Sequence, residues 1–381
     1  MLNIAIIGTG KISPMHIAAY LKFPKRCKIV ALVDIYPEKA ELKKKEFNLD
    51  CEVLDSHKKL LGRKDIDLVS ICTPPYVHCE IAKDFLDDGK NVIIEKPMAA
   101  SLEECDIILD AAKKSGTVLS VISQNRFKNP IWKLKKMLES GVAGKVLHAQ
   151  VDSFWWRGHC YYDLWWRGTW EKENGGCTLN HAVHHIDILN WMMNGLPEKV
   201  SAFMTNVSHD NSEVEDLSSA VLRYQGGAIG NLTSSVVHHG EKQQVILQCE
   251  KAVLSAPWEP VCCTSREDGF PVIDKEFKKK LQRTYKAIPD LKFEGHTAQI
   301  ENVITAIEKE EPPIVTGYDG KRALELIFAV YKAGAQEEII NLPINVDDAF
   351  YTQEGILNAV PRFHKKSGFI ENFDNDLKIK S

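Results

Sequence analysis

Residues 3–13 read Asn3-Ile4-Ala5-Ile6-Ile7-Gly8-Thr9-Gly10-Lys11-Ile12-Ser13: an apolar run rich in isoleucine, a turn with two glycines, then the start of a helical pattern. A short apolar run of this kind is the signature of a buried strand. Gly8 permits the tight turn, Gly10 lets backbone N–H groups approach a pyrophosphate, and the helix start adds its dipole. Ser13 stands where a third glycine would complete the motif; it is small and, with Pro14 behind it, reads as an N-cap followed by proline in the first turn. Lys11 and Ile12 belong to the same turn and are expected at the cofactor.

Outward from this stretch, Lys28–Asp34, Leu68–Cys72, Asn91–Ile94 and Val118–Ser123 repeat the apolar pattern, with helical segments Met15–Phe23, Pro37–Glu46 and Leu102–Lys114 between them. Alternation of this kind predicts an α/β fold with an N-terminal, doubly wound parallel sheet. Ser101-Leu102-Glu103-Glu104 fits a capping box. Asp34 ends the second strand, where a carboxylate would accept hydrogen bonds from ribose hydroxyls and repel a 2′-phosphate. No arginine follows it directly, so NAD is expected over NADP. Beyond residue 125, Lys145–Trp155, Leu217–Tyr224, Ala228–Val236 and Gln243–Gln248 read as longer, partly alternating strands, with Gly226-Gly227 a turn between two of them. The expected division is a dinucleotide-binding Rossmann domain over 1–124 and an α/β domain with an open, mostly antiparallel sheet over 125–381, serving substrate binding and oligomerisation. Thr297–Lys309 and Lys321–Ala333 read as helices, and this last helical region is free to return to the first domain. The last fifteen or so residues are polar and expected to be loosely ordered.

The chain has 381 residues, with 48 Lys plus Arg against 52 Asp plus Glu. That near balance favours neither a nucleic-acid nor a membrane-surface partner. No apolar run approaches the ~20 residues of a membrane-spanning helix, and no secretory leader is expected before the first strand. The ten cysteines are scattered without metal-ligand spacing, as in reduced thiols of a cytoplasmic protein.

Thr73-Pro74-Pro75-Tyr76-Val77-His78, Glu95-Lys96-Pro97-Met98-Ala99 and the segment from Gly175-Gly176 through His184-His185-Ile186-Asp187 together resemble the glucose–fructose oxidoreductase, inositol dehydrogenase and rhizopine catabolism (Gfo/Idh/MocA) family. The resemblance runs from about residue 3 to about 345. It implies a nicotinamide held between two domains, with Thr73, Pro74, His78, Glu95 and Lys96 near the cofactor, and a second sheet that packs into dimers or tetramers. It also implies that Lys96 binds the reacting hydroxyl and that His184 takes its proton, roles that a cationic group and an imidazole titrating near pH ~6.5 can fill.

Asn180, His184, Asp187 and Trp191 fall at helical spacing, on one expected face. Asn180 takes a position that is often Asp in the family; a neutral amide orients substrate but cannot raise the basicity of a histidine. His181 and His185 also have helical spacing, yet nicotinamide chemistry needs no metal and none is expected. The stretch 154–170 carries five of the eight tryptophans. Indole faces pack on sugar rings while Arg and His bind hydroxyls; packing on the second domain or a neighbouring subunit explains the same residues equally well. Arg126, Trp156, Arg157, Arg167, Trp170, Asn180, His181 and His184, with Lys96, are the expected substrate contacts, and Arg157 and Arg167 could meet an anionic one. These residues imply an NAD-dependent dehydrogenase oxidising a hydroxyl of a sugar, glycoside or inositol. The alternatives are an NAD-dependent glycosidase working by transient oxidation and elimination, and a non-catalytic dinucleotide or sugar sensor.

Overall fold

Both faces of the first sheet are covered, which is why its strands read as unbroken apolar runs. The computed structural model describes residues 1–370; the end of the polar tail, residues 371–381, lies outside them. The strands are β1 (Leu2–Ile7), β2 (Cys27–Val33), β3 (Glu52–Leu54), β4 (Leu68–Ile71), β5 (Asn91–Ile94) and β6 (Leu119–Val121), all parallel, in the order β3-β2-β1-β4-β5-β6. Ile4 and Ile6 of β1 enter one core, shared with Ile300, Val303 and Ile304 of helix Gly295–Lys309; Ala5 and Ile7 enter the other. The strand order reverses between β1 and β4, so a crevice opens at their carboxyl ends.

The second sheet contains β7 (Val146–Trp156), β8 (Lys199–Thr205), β9 (Leu217–Arg223), β10 (Ile229–Ser235), β11 (Val237–Cys249), β12 (Val253–Ala256) and β15 (Ile340–Asn341), ordered β12-β11-β7-β10-β9-β8-β15. Every neighbouring pair is antiparallel except β7 with β10. The β9–β10 turn passes through Gly226 and Gly227, whose φ values of 82° and 91° suit glycine best. A small hairpin of β13 (Cys263–Ser265) and β14 (Pro271–Ile273) stands apart. Helices Val183–Met192 and Gly317–Gln336 pack on one face of the large sheet. The second of these also approaches β6 so closely that a Cβ on Gly320 would lie 2.6 Å from Val121.

The strand and helix positions read from the apolar patterns hold to within a few residues, although the run 243–248 is only the latter part of a longer β11. Strands β3, β8 and β15, and helices His78–Asp87, Asn129–Glu139 and Lys275–Ala287, have no counterpart in that reading. The Ser101 hydroxyl caps its helix by accepting from the Glu104 N–H, while Glu104 reaches back to Ala100 N–H, one residue earlier than a strict capping box.

His185 is buried near Trp155, and its buried Nδ1 has no hydrogen-bond partner among the described residues. Burial pushes its pKa from 6.5 down to about 4. Between these values the unfolded chain binds a proton that the folded chain refuses. The neutral form's contribution to stability is therefore complete above pH 6.5 and lost as pH falls towards 4. Urea unfolding should show this contribution, about 3 kcal/mol at most, fading over that window in the native protein. His185→Gln should flatten the dependence.

Candidate active site

The glycine turn sits at the carboxyl ends of β1 and β2. Gly8 has φ 88°, and a Cβ there would lie 2.9 Å from the Cys72 carbonyl, so both backbone conformation and space demand glycine. Nothing lies within 4 Å of a Cβ placed on Gly10, leaving open space above the turn for a phosphate. Helix Ser13–Tyr20 starts one residue earlier than expected: Ile12 is its N-cap, and the Ser13 hydroxyl donates to Gly10 O. Asp34 accepts from Thr9 N–H and Thr9 Oγ at 2.8 and 2.7 Å and from Tyr36 N–H at 3.0 Å. This carboxylate ties the turn to the end of β2 and keeps lone pairs for a ribose. Thr73 Oγ1, beside Gly8, is buried without a partner. Open space at Gly10, the helix start, Asp34 and an unsatisfied hydroxyl together fit a dinucleotide.

Glu95 and Lys96 follow β5. The Glu95 carboxylate is buried; it accepts from His16 Nε2 at 2.9 Å, His296 Nε2 at 3.4 Å and the Lys96 N–H at 3.1 Å. Burial alone would raise its pKa, but the two histidines outweigh that and hold it well below the usual carboxylate range. His16 is in turn fixed through Nδ1 to Ser70 Oγ at 2.8 Å, which also receives the Tyr20 hydroxyl. A neutral His16 that accepts from Ser70 and donates to Glu95 satisfies all these bonds. His16, Glu95 and His296 bring ligand atoms within 4.8 Å of one another, but these hydrogen bonds already account for them. Glu95, expected at the cofactor, therefore spends its side chain inside the fold. His78, also expected there, is buried between the carbonyls of Thr73 (2.8 Å) and Pro97 (3.0 Å) and pins together the turns after β4 and β5.

The expected continuous helix through Asn180 is broken. Helix Cys177–Asn180 ends at His181, and Val183–Met192 starts afresh. Asn180 Nδ2 donates to the carbonyls of Gly175 and Gly176 at 2.7 and 3.2 Å, so the amide braces the glycine pair. His184 lines the same small cavity as Lys96, Ser123 and Asp187. It lies deep, yet part of its surface stays exposed. Burial, reinforced by the Lys96 charge, holds its pKa well below 6.5. Burial also lowers the Lys96 pKa, with Glu95 opposing and Arg167 adding to the shift. Neither side chain has a hydrogen-bond or ion-pair partner among the described residues.

The remaining residues are committed. Arg126, 2% exposed, forms a bidentate pair with Asp187 (2.7 Å twice), reaches Asp319 at 3.2 Å and covers Trp191; it supports the cleft wall and is not open to a substrate. Trp170 is fully buried against Tyr331 and donates to Pro361 O, so it too is core. Trp156 is exposed and stacks on His239. Arg157, Arg167 and His181 gather around Tyr161. Each guanidinium lies over its ring, at 5.6 and 4.1 Å, and the His181 ring centroid is 5.8 Å away. Arg167 also binds Glu173 at 2.7 Å, and Glu173 accepts from Gly168 N–H. Tyr161, Glu173, His16 and His296 were not among the expected site residues; only the positions of Glu173 before the glycine pair and Tyr161 within the aromatic stretch could have suggested two of them.

A Rossmann crevice with a lysine and a neutral histidine at its mouth defines a nicotinamide-dependent oxidoreductase. Residues 2–123 match the model of the oxidoreductase family with an NAD-binding Rossmann fold, and residues 131–255 match the Gfo/Idh/MocA C-terminal domain. The chain belongs to the Gfo/Idh/MocA family of NAD-dependent oxidoreductases. It is 27% identical over 268 residues to 2,7-anhydro-N-acetylneuraminate hydratase of Mediterraneibacter gnavus, covering 70% of each chain. It is 24% identical over 345 residues to myo-inositol 2-dehydrogenase of Thermotoga maritima, covering 90% of this chain and 98% of that one. Among solved structures, the WlbA dehydrogenase of Bordetella pertussis in complex with NADH and UDP-GlcNAcA is 26% identical, with a TM-score of 0.75 over 90% of this chain and 99% of that one.

Removing the Glu95 charge tests how the lysine is held. Glu95→Gln should lower kcat by roughly tenfold or more, equivalent to about 1.4 kcal/mol or above, with NAD affinity changed far less. Steady-state kinetics beside an NAD titration would check this.

Proposed function

We propose that the protein oxidises a secondary hydroxyl of a sugar, glycoside or inositol to the ketone. The observation that carries this reading is that the side chains of Lys96 and His184 line one small cavity, each without a hydrogen-bond or ion-pair partner among the described residues. Bound NAD supplies the ring that accepts the hydride. His184, neutral at pH 7, has a nitrogen available for the hydroxyl proton. Lys96 donates a hydrogen bond to the same oxygen and offsets its developing charge. The Asn180 amide acts through the glycine pair, as a positioning residue. Oxidation followed by elimination is the second reading, favoured by the match to a hydratase.

The outer face of the second sheet supports self-association. Phe203 is 72% exposed there, with Val221 and Ile229 also exposed on the neighbouring strands; a second copy covering this face is the proposed arrangement, as a homodimer or homotetramer. Ten unpaired thiols fit a reducing, cytoplasmic setting, and no helix of the described residues is long and apolar enough to cross a membrane.

Two tests follow from these assignments. With NAD and a panel of sugars, glycosides and inositols, NADH should form with one substrate group, and His184→Ala should lower kcat by about 10²-fold or more while NAD still binds. Released aglycone or dehydrated product without net NADH would favour the second reading; unchanged turnover in the variant would remove His184 from the chemistry. In light scattering, Phe203→Asp combined with Val221→Asp should yield a smaller particle than the native chain; equal masses would exclude this face as the interface.

A further inference from the structure

We propose that the cluster of Arg157, Arg167 and His181 around Tyr161 is a subsite for a carboxylate on the substrate. The inference rests on the sugar-oxidising reading above and specifies its substrate class as acidic. Three cationic side chains act on His181: Arg157, Arg167 and Lys96. Two carboxylates answer them: Glu173 pairs with Arg167 at 2.7 Å, and Glu241 pairs with Arg157 at 2.7 Å.

The hydrogen bonding is incomplete in the same place. Arg167 spends Nη1 on Tyr161 and Glu173, while its Nε is buried without a partner. Arg157 spends only Nη1, on Trp156 O and Glu241. His181 Nδ1 is buried and unpaired, and its Nε2 lies 3.5 Å from the Tyr161 hydroxyl, a marginal bond. Buried groups left unsatisfied in this way are costly, and a planar acceptor beside the guanidinium groups would relieve the cost. Burial and the positive charges of Arg157, Arg167 and Lys96 hold His181 neutral, its pKa well below 6.5. The field that keeps a proton off this imidazole also draws an anion to it. The flat, two-oxygen edge of a carboxylate matches the fork of a guanidinium. The rings of Trp155 and Tyr161 lie 6.0 and 5.8 Å from the His181 ring.

The test is calorimetric titration of the full chain loaded with NADH, using matched pairs: methyl glucuronide against methyl glucoside, and methyl galacturonide against methyl galactoside. The acidic member of at least one pair should bind about tenfold tighter, or about 1.4 kcal/mol. That ratio should fall towards one in Arg157→Gln and in Arg167→Lys, the latter keeping a charge beside Glu173. A ratio near one in the native protein, a ratio unchanged in both variants, or tighter binding of glucose 6-phosphate than of either uronide would overturn the carboxylate assignment. Failure of every acidic sugar to bind would do so too. If the acidic preference holds but no sugar reduces NAD, the dehydrogenase reading fails and the subsite stands. If neutral sugars are oxidised with no acidic preference, the subsite fails alone.

Discussion

The structure turns on one buried carboxylate. Glu95 lies inside the Rossmann domain, where an unpaired charge would be prohibitively costly, and its partners come from three elements: His16 of helix Ser13–Tyr20, His296 of helix Gly295–Lys309 and the backbone of Lys96 itself. Satisfying it requires the helix from near the end of the chain to pack back against the first sheet, where Ile300, Val303 and Ile304 complete the core with Ile4 and Ile17. The hydrogen bonds that satisfy Glu95 therefore also set the backbone of Lys96. Packing, electrostatics and the placement of the reactive group are one constraint.

Around that lysine the side chains divide by commitment. Arg126 is neutralised by Asp187 and Asp319. Glu215, its pKa raised by burial to about 7, holds the N–H groups of Gly176 and Thr178 and the Tyr331 hydroxyl, and so fixes the glycine pair that precedes helix Cys177–Asn180. These arrangements are rigid because each removes a buried polar group from the unsatisfied list. Lys96 and His184 stand outside them. The two side chains share one small cavity, which is why they carry the functional reading.

The first sheet was legible because strands covered on both faces must be apolar throughout, as Ile4–Ile7 and Val92–Ile94 are. Three-residue β3 is only partly buried and leaves no such run. In β8 the buried Val200, Ala202 and Met204 alternate with exposed positions, but Phe203 on the open face blurs the pattern. The lysine and histidine were readable from their flanking motifs. The fate of Arg126 was not: its partners lie 61 and 193 residues away, and only the fold brings them together. In the aromatic stretch Trp170 and Tyr162 serve the core, while the half-buried Trp155 and Tyr161 gather near His181. His16 and His296 carried no local signal, because a histidine that positions a carboxylate looks like any other in sequence.

The most direct test of the account is the fate of a deuterium placed on the carbinol carbon of a substrate that the protein oxidises. Mass and NMR analysis of the nicotinamide after turnover should find that deuterium at C4 of NADH, with a slowed rate on the labelled substrate whenever chemistry limits turnover. Deuterium lost to solvent, or retained on the sugar while NAD stays unlabelled throughout, would contradict hydride transfer as the reaction for which Lys96 and His184 are set.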